Sequence, residues 1–287
     1  MTPGGEAGVA DVETFGDGPP DLVVEVPHGA DRRAHFDALR ARLAGELPAD
    51  LHEFFFVNTD VGAWQVGRRV AEMLGRSAIV IRSLIPRTFI DCNRIEAATL
   101  GGGGLTASVP AYVRDAGDRA LLLDLHRRYV AIVEAALEAL APDGFLLMPH
   151  TYGPRTLGID QVDEHIVTAL REAHAPERYA AWPVRPEVDL ITRTADGTLH
   201  AAAPVAEAVT AAYRVLGLEV AENRTYHMHP ITLGMKWAER LPGRTLCLEI
   251  RRDLLVRDWA WNRENTVDPE AVERFAAPLA RAIGGRR

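Results

Sequence analysis

Apolar positions along the chain fall into two patterns. Short unbroken runs predict strands at Asp21–Val26, Ser77–Ser83, Phe145–Met148 and Thr245–Ile250. Longer stretches, apolar at every third or fourth position, predict helices at Ala34–Gly45, Val61–Leu74, Asp118–Leu140, Gln161–Ala173, Val205–Leu216 and Pro269–Ile283. Asp60 and Asp118 stand where N-caps would, and Gly75 where a C-cap would close the second helix. Strands alternating with helices predict an α/β chain on a mostly parallel or mixed sheet, with helices on both faces. In such sheets, sites form where loops leave the carboxyl ends of strands.

Composition narrows the partners. The 287 residues suit one α/β domain over 21–287, preceded by a mobile segment over 1–20. A net charge of −8 gives no basic footprint for nucleic acid. Lys236 is the only lysine, so arginine carries the positive charge. Cys92 and Cys247 sit in apolar surroundings and read as core packing in a reducing compartment. The N-terminus lacks the charged and apolar regions of a secretory signal, and no apolar run approaches the roughly 20 residues of a membrane span. The expectation is a cytoplasmic protein with no membrane partner.

Two loops carry less information. Gly101–Gly104 lacks the spacing of a dinucleotide or phosphate loop and reads equally as a mobile loop beside a site or as a linker. Ala175–Val188, with three prolines, reads as an excursion between elements.

Polar groups at strand ends carry the candidate chemistry. "VPHGA" ends a strand at His28, and "FLLMPHTYGPR" repeats the design at His150. Each imidazole either completes a strand end or binds something, and two of a kind say more than either alone. Two imidazoles and one carboxylate would make a catalytic zinc site with an open position. Asp60, after "FFFVNT", is explained by helix capping alone, so its place in such a site needs support from outside these residues. In "RTLCLEIRRDLL", Glu249 and Arg251 face away from Leu248 and Ile250. A buried glutamate there needs a partner, either an arginine or a water it can deprotonate. "IVIRSLIPRTFIDCNR" gathers Arg82, Arg87, Asp91, Asn93 and Arg94, a set suited to carboxylates or to pairing among themselves. His227 and His229 in "YHMHP" read as a metal pair or as a loop lining a cleft.

These segments stand in the order found in the N-formylglutamate amidohydrolase family, and the chain resembles it from about Val23 to Val256. "RTFIDCNR" is similar to the family's Arg-x-x-x-Asp-x-Asn-Arg, and "LEIRRDL" to its Glu-Ile-Arg-x-Asp-Leu. At the second histidine the chain reads "MPHTYGP", with Thr151 where the family's Asp-x-His-Ser has serine. The resemblance implies a three-layer α/β/α sandwich around a mixed, mostly parallel sheet, of the phosphorylase/hydrolase-like kind related to zinc carboxypeptidases. It implies one zinc ion at His28, Asp60 and His150, Glu249 as general base, and Arg87, Asn93 and Arg94 facing substrate. Arg251 joins them as a candidate for the substrate carboxylates or the oxyanion. The expected reaction is hydrolysis of the amide of a small acidic N-acyl amino acid, N-formyl-L-glutamate first. A zinc carboxypeptidase or deacylase of another substrate, and a non-catalytic binding protein on the same fold, are the alternatives.

Overall fold

The four predicted strands become the centre of the sheet. The computed structural model describes residues 5–96, 106–159 and 161–286, so Gly101–Gly104 lies outside the described residues. The strands are β1 (Ala10–Phe15), β2 (Leu22–Val26), β3 (Ala78–Ser83), β4 (Phe145–Tyr152), β5 (Val188–Ile191), β6 (Val220–Glu222) and β7 (Thr245–Arg251). They form one sheet in the order β1-β3-β2-β4-β7-β5-β6. β3, β2, β4 and β7 run parallel, whereas β1 and β5 are antiparallel to their inner neighbours and β6 runs parallel to β5. The fold is α/β with a mixed, mostly parallel sheet.

The helices are α1 (Arg33–Arg40), α2 (His52–Asn58), α3 (Ala63–Leu74), α4 (Ala116–Ala139), α5 (Ile166–Ala173), α6 (Pro176–Ala181), α7 (Ala203–Val215), α8 (Leu233–Arg240) and α9 (Pro269–Gly284). The period-two alternation of the strands sorts them onto two faces. Leu22, Val24, Leu147, Leu246 and Leu248 pack with α3, α7 and α9. Val23, Ile81, Leu146, Met148 and Cys247 pack with α1, α2, α4, α5 and α8. By the same alternation Glu25, His150 and Glu249 belong to this second face. Each buried Val, Leu or Ile contributes roughly 1.5–3 kcal/mol, which is why both faces of the central strands are apolar.

Three expectations change. Within the segment expected to be mobile, Ala10–Phe15 is an edge strand antiparallel to β3. Its apolar positions are few and sit beside glycines, but Val9 and Ala10 are buried and Asp11 pairs with Arg82 at 2.7 Å. Asp118 does not cap α4: Asp115 does, accepting from the Asp118 N–H at 2.9 Å. The Asp118 carboxylate instead accepts the N–H groups of Ala44 and Gly45, both at 2.9 Å. Asp60 does not cap α3, whose N-cap is Gly62 at φ +89°. Gly75, in the left-handed region at φ 60°, does close that helix.

Candidate active site

Two strand ends and one loop meet at the carboxyl edge of the sheet. β2 stops at Val26, and Pro27 and His28 follow. A Cβ on Gly29 would lie 2.6 Å from Arg82 Cβ, so the turn hugs β3 closely enough to require glycine. The loop before α3 is stitched to this turn: Asp60 N donates to the His28 carbonyl at 3.0 Å, and Thr59 Oγ1 to the Ala30 carbonyl at 2.6 Å. β4 continues through Pro149 to His150, although its ladder with β2 ends at Leu147. A proline has no N–H to give, and the lost pairing lets the two strands part where the site begins.

His28 and His150 both turn Nδ1 toward one oxygen, Asp60 Oδ2, at 3.2 and 2.8 Å. The rings lie 5.4 Å apart. On its other side, His28 Nε2 donates to Asp91 Oδ1 at 2.8 Å. All four groups are buried. Burial opposes the Asp60 charge, but the two histidines outweigh it and hold the carboxyl well below the usual range. Burial likewise opposes a charged His150, yet the Asp60 bond and Cys247 hold this imidazole well above the ordinary histidine value.

Glu249 pairs in register with His150 across β4 and β7. Its Oε2 is buried without a hydrogen-bond partner among the described residues. Burial, reinforced by Asp60, pushes its carboxyl up to about 7, against the pull of His150, Arg185 and Arg252. An orphaned buried carboxylate oxygen is costly, and active sites are where such groups persist. Three residues before His28, Glu25 accepts the Tyr129 hydroxyl at 2.7 Å and is pushed by burial to about 7.

Asp91 gathers the arginines. It accepts Arg87 Nε at 3.0 Å and the Asn93 backbone N–H at 2.9 Å, and Arg94 approaches at 3.5 Å. Burial disfavours its charge, but Arg87, Arg94 and His28 keep it ionised, well below the ordinary value. Asn93 Oδ1 accepts the Gly234 N–H at 2.9 Å, fixing α8 beside the site. Arg251 does not reach the cavity: its guanidinium donates to Asp253 at 2.9 Å and to the Arg185 carbonyl at 3.3 Å. The nearby carboxylate draws it along the sheet edge.

A cavity of about 490 Å³ joins these groups and is lined by His28, Asp60, His150, Glu249, Arg87, Asn93 and Arg94. His227 and His229 also line it, as the loop reading expected. Sequence reasoning missed Arg252 and Arg185. Arg252 is buried, donates to the Thr151 carbonyl at 2.9 Å and to the Val57 carbonyl, and lies 3.6 Å from Asp60 Oδ1. Arg185 lies 5.0 Å over the Tyr152 ring and donates to Tyr226 at 3.3 Å; among the described residues it pairs with no carboxylate. The Arg-Arg pair at 251–252 was visible, but not which of the two turns inward. Arg185 lies within the unpatterned proline-rich stretch Ala175–Val188.

The donor set fits a metal ion. One atom each from His28, Asp60 and His150 lie within 4.8 Å of one another. A carboxylate oxygen only accepts, so both ring contacts to Asp60 need a hydrogen on Nδ1, and a cation in their place would satisfy the same groups. Asp91 fixes the far nitrogen of His28, the outer support that metal-binding histidines usually have.

No protein-family model matches the chain, and no curated protein matches it. Solved structures do. An N-formylglutamate amidohydrolase from Ralstonia eutropha JMP134 superposes with a TM-score of 0.57 at 18% identity, over 96% of both chains. A gene product from Agrobacterium tumefaciens superposes with a TM-score of 0.54 at 18% identity, over 96% of this chain and 93% of the other. Along nearly its whole length, the chain has the fold of an N-formylglutamate amidohydrolase.

Proposed function

We propose that this chain is a metal-dependent hydrolase cleaving the amide of a small N-acyl amino acid, with N-formyl-L-glutamate, cut to formate and glutamate, as the reference substrate. One observation carries the reading: a His–Asp–His donor cluster shares a cavity with a buried carboxylate that lacks a partner. The fold likeness to a protein named for that activity supports it.

His28, Asp60 and His150 are the residues that would hold zinc. When bound, zinc supplies Lewis-acid chemistry, polarising the amide carbonyl and making water more acidic. Glu249 takes a proton from the attacking water as the oxygen–carbon bond forms. It returns that proton to the leaving nitrogen as the carbon–nitrogen bond breaks. A carboxyl near 7 suits both halves of that transfer. Arg252, close to Asp60, keeps positive charge beside the reacting centre. Arg87 and Arg185, which line the cavity with Asn93, would receive a substrate carboxylate. Arg94, almost wholly buried, anchors Asp91.

The test is release of formate from N-formyl-L-glutamate by purified protein, before and after chelation. The expected result is hydrolysis that stops on chelation and returns with zinc. Zinc binding without hydrolysis of any N-acyl amino acid would overturn this reading and leave a deacylase of another substrate class or a binding protein.

A further inference from the structure

The cavity does not end at the donor cluster. An annex of its wall is apolar, made of Phe54 of α2, Leu157, Ile166 and Leu170 on and before α5, and Trp259 and Trp261 after β7. The two tryptophans are held in place by stacking on other rings of the same wall. Trp261 stacks on the His174 ring at 4.3 Å and 12°, and Trp259 lies 6.1 Å from Tyr179 at 21°. Their loop is closed at its base by pairing of Val256 with Val267 and by the Asp268 N–H to the Leu255 carbonyl at 2.8 Å. Within it, the Asn265 side chain bonds the Ala260 N–H and carbonyl, both at 2.9 Å. Glu264 ties the loop to α1 through Arg32 at 3.0 Å and the Arg33 N–H at 2.9 Å.

Each Å² of apolar surface that a cavity wall leaves in water costs about 25 cal/mol. A wall of this kind is what an apolar ligand group would cover. The volume agrees: about 490 Å³ falls in the range of roughly 300–1,000 Å³ that accepts drug-sized ligands. A formyl group has nothing beyond its carbonyl carbon to place in the annex.

We infer that the substrate carries an apolar acyl arm, a chain of several carbons or an aromatic ring, that fills this annex while its amino acid carboxylate meets Arg87 or Arg185. The inference rests on the hydrolase reading for the bond that is cut, and on the cavity alone for what binds.

Two measurements test it. The first is kcat/KM of the zinc-supplemented protein on formyl-, acetyl-, butanoyl-, octanoyl- and phenylacetyl-L-glutamate. The expected rise is roughly fourfold per methylene until the annex is full. Trp261→Ala should lower the octanoyl-to-formyl ratio by about tenfold or more. The second follows tryptophan fluorescence of the metal-free protein with N-octyl- and N-methyl-L-glutamate, which cannot be hydrolysed. The octyl compound should bind about tenfold tighter or more. Formylglutamate as best substrate, with equal binding of octyl and methyl compounds, would overturn the annex assignment and leave the hydrolase reading intact. Tighter octyl binding with no hydrolysis of any compound would do the reverse. A preference that appears only among N-formyl derivatives of large apolar amino acids would overturn the acyl-side placement.

Discussion

His150 and Glu249 occupy paired positions on adjacent parallel strands, so both side chains rise from one face of the sheet into one cavity. The ligand candidate and the base candidate are thus held by backbone hydrogen bonds, not by a loop. This relationship makes the roles of the two residues separable by mutation.

Glu249→Gln should fold and bind metal as the parent does, yet lose about 10²–10⁴-fold in kcat on N-formyl-L-glutamate. Because the base must be ionised and burial raises this carboxyl, parent kcat/KM should fall on the acid side of its pH–rate profile. A pH–rate profile alongside zinc content checks both. Retained turnover in the variant removes Glu249 from the base role.

His28→Ala and His150→Ala should each take zinc content from near one per chain to near zero after dialysis. Asp91→Asn should weaken zinc by about 10–100-fold, because Asp91 holds the far nitrogen of His28. Competition with a chromophoric chelator gives all three affinities. Unchanged zinc in both alanine variants would place the metal elsewhere.

Arg252→Ala should destabilise the metal-free fold by about 3–5 kcal/mol. Its guanidinium holds the Thr151 and Val57 carbonyls, and its loss leaves them and the nearby Asp60 charge uncompensated. Denaturant midpoints would show it. A midpoint within error of the parent would mean those carbonyls find other partners.

Glu25 gives a pH-dependent stability of opposite sign to that of most salt-bridged carboxylates. Burial raises it from 4.5 to about 7, while the Tyr129 hydroxyl and the His150 charge pull it down. The folded chain therefore holds the proton more tightly than the unfolded chain. This share of stability is present below about 4.5 and is lost as pH rises to about 7. Glu25→Gln removes the loss, so the variant should gain on the parent by up to about 3 kcal/mol between pH 5 and pH 8 in metal-free protein. A constant difference across that range would mean Glu25 is not held neutral.

The sequence showed the central sheet because its four strands are buried on both faces and read as continuous apolar runs. The three strands outside that centre were hidden by the same physics. β1 is half polar, β5 is four residues with Asp189 inside it, and β6 is three residues. His28, His150 and Glu249 were legible because a polar residue at the end of a buried strand has few reasons to be there. Asp60 was ambiguous from sequence, since a cap and a ligand call for the same residue. Gly62 takes the cap position of α3, and the Asp60 carboxylate contacts both imidazoles. Arg185 depends on where a proline-rich excursion lands, and nothing local encodes that.

The pairing of β2 with β4, the strands whose ends carry His28 and His150, also makes the donor cluster a gauge of strand register. A slip of one residue would present Pro149 or Thr151 in place of His150 and turn the imidazole toward α3. A slip of two would restore the face but carry the ring about 6.6 Å along the strand, farther than the 4.8 Å that spans the donor atoms. Of all the alignments available to these two strands, only the native one can close the cluster, so a bound ion would reward correct pairing of the sheet's two central strands and no neighbouring arrangement.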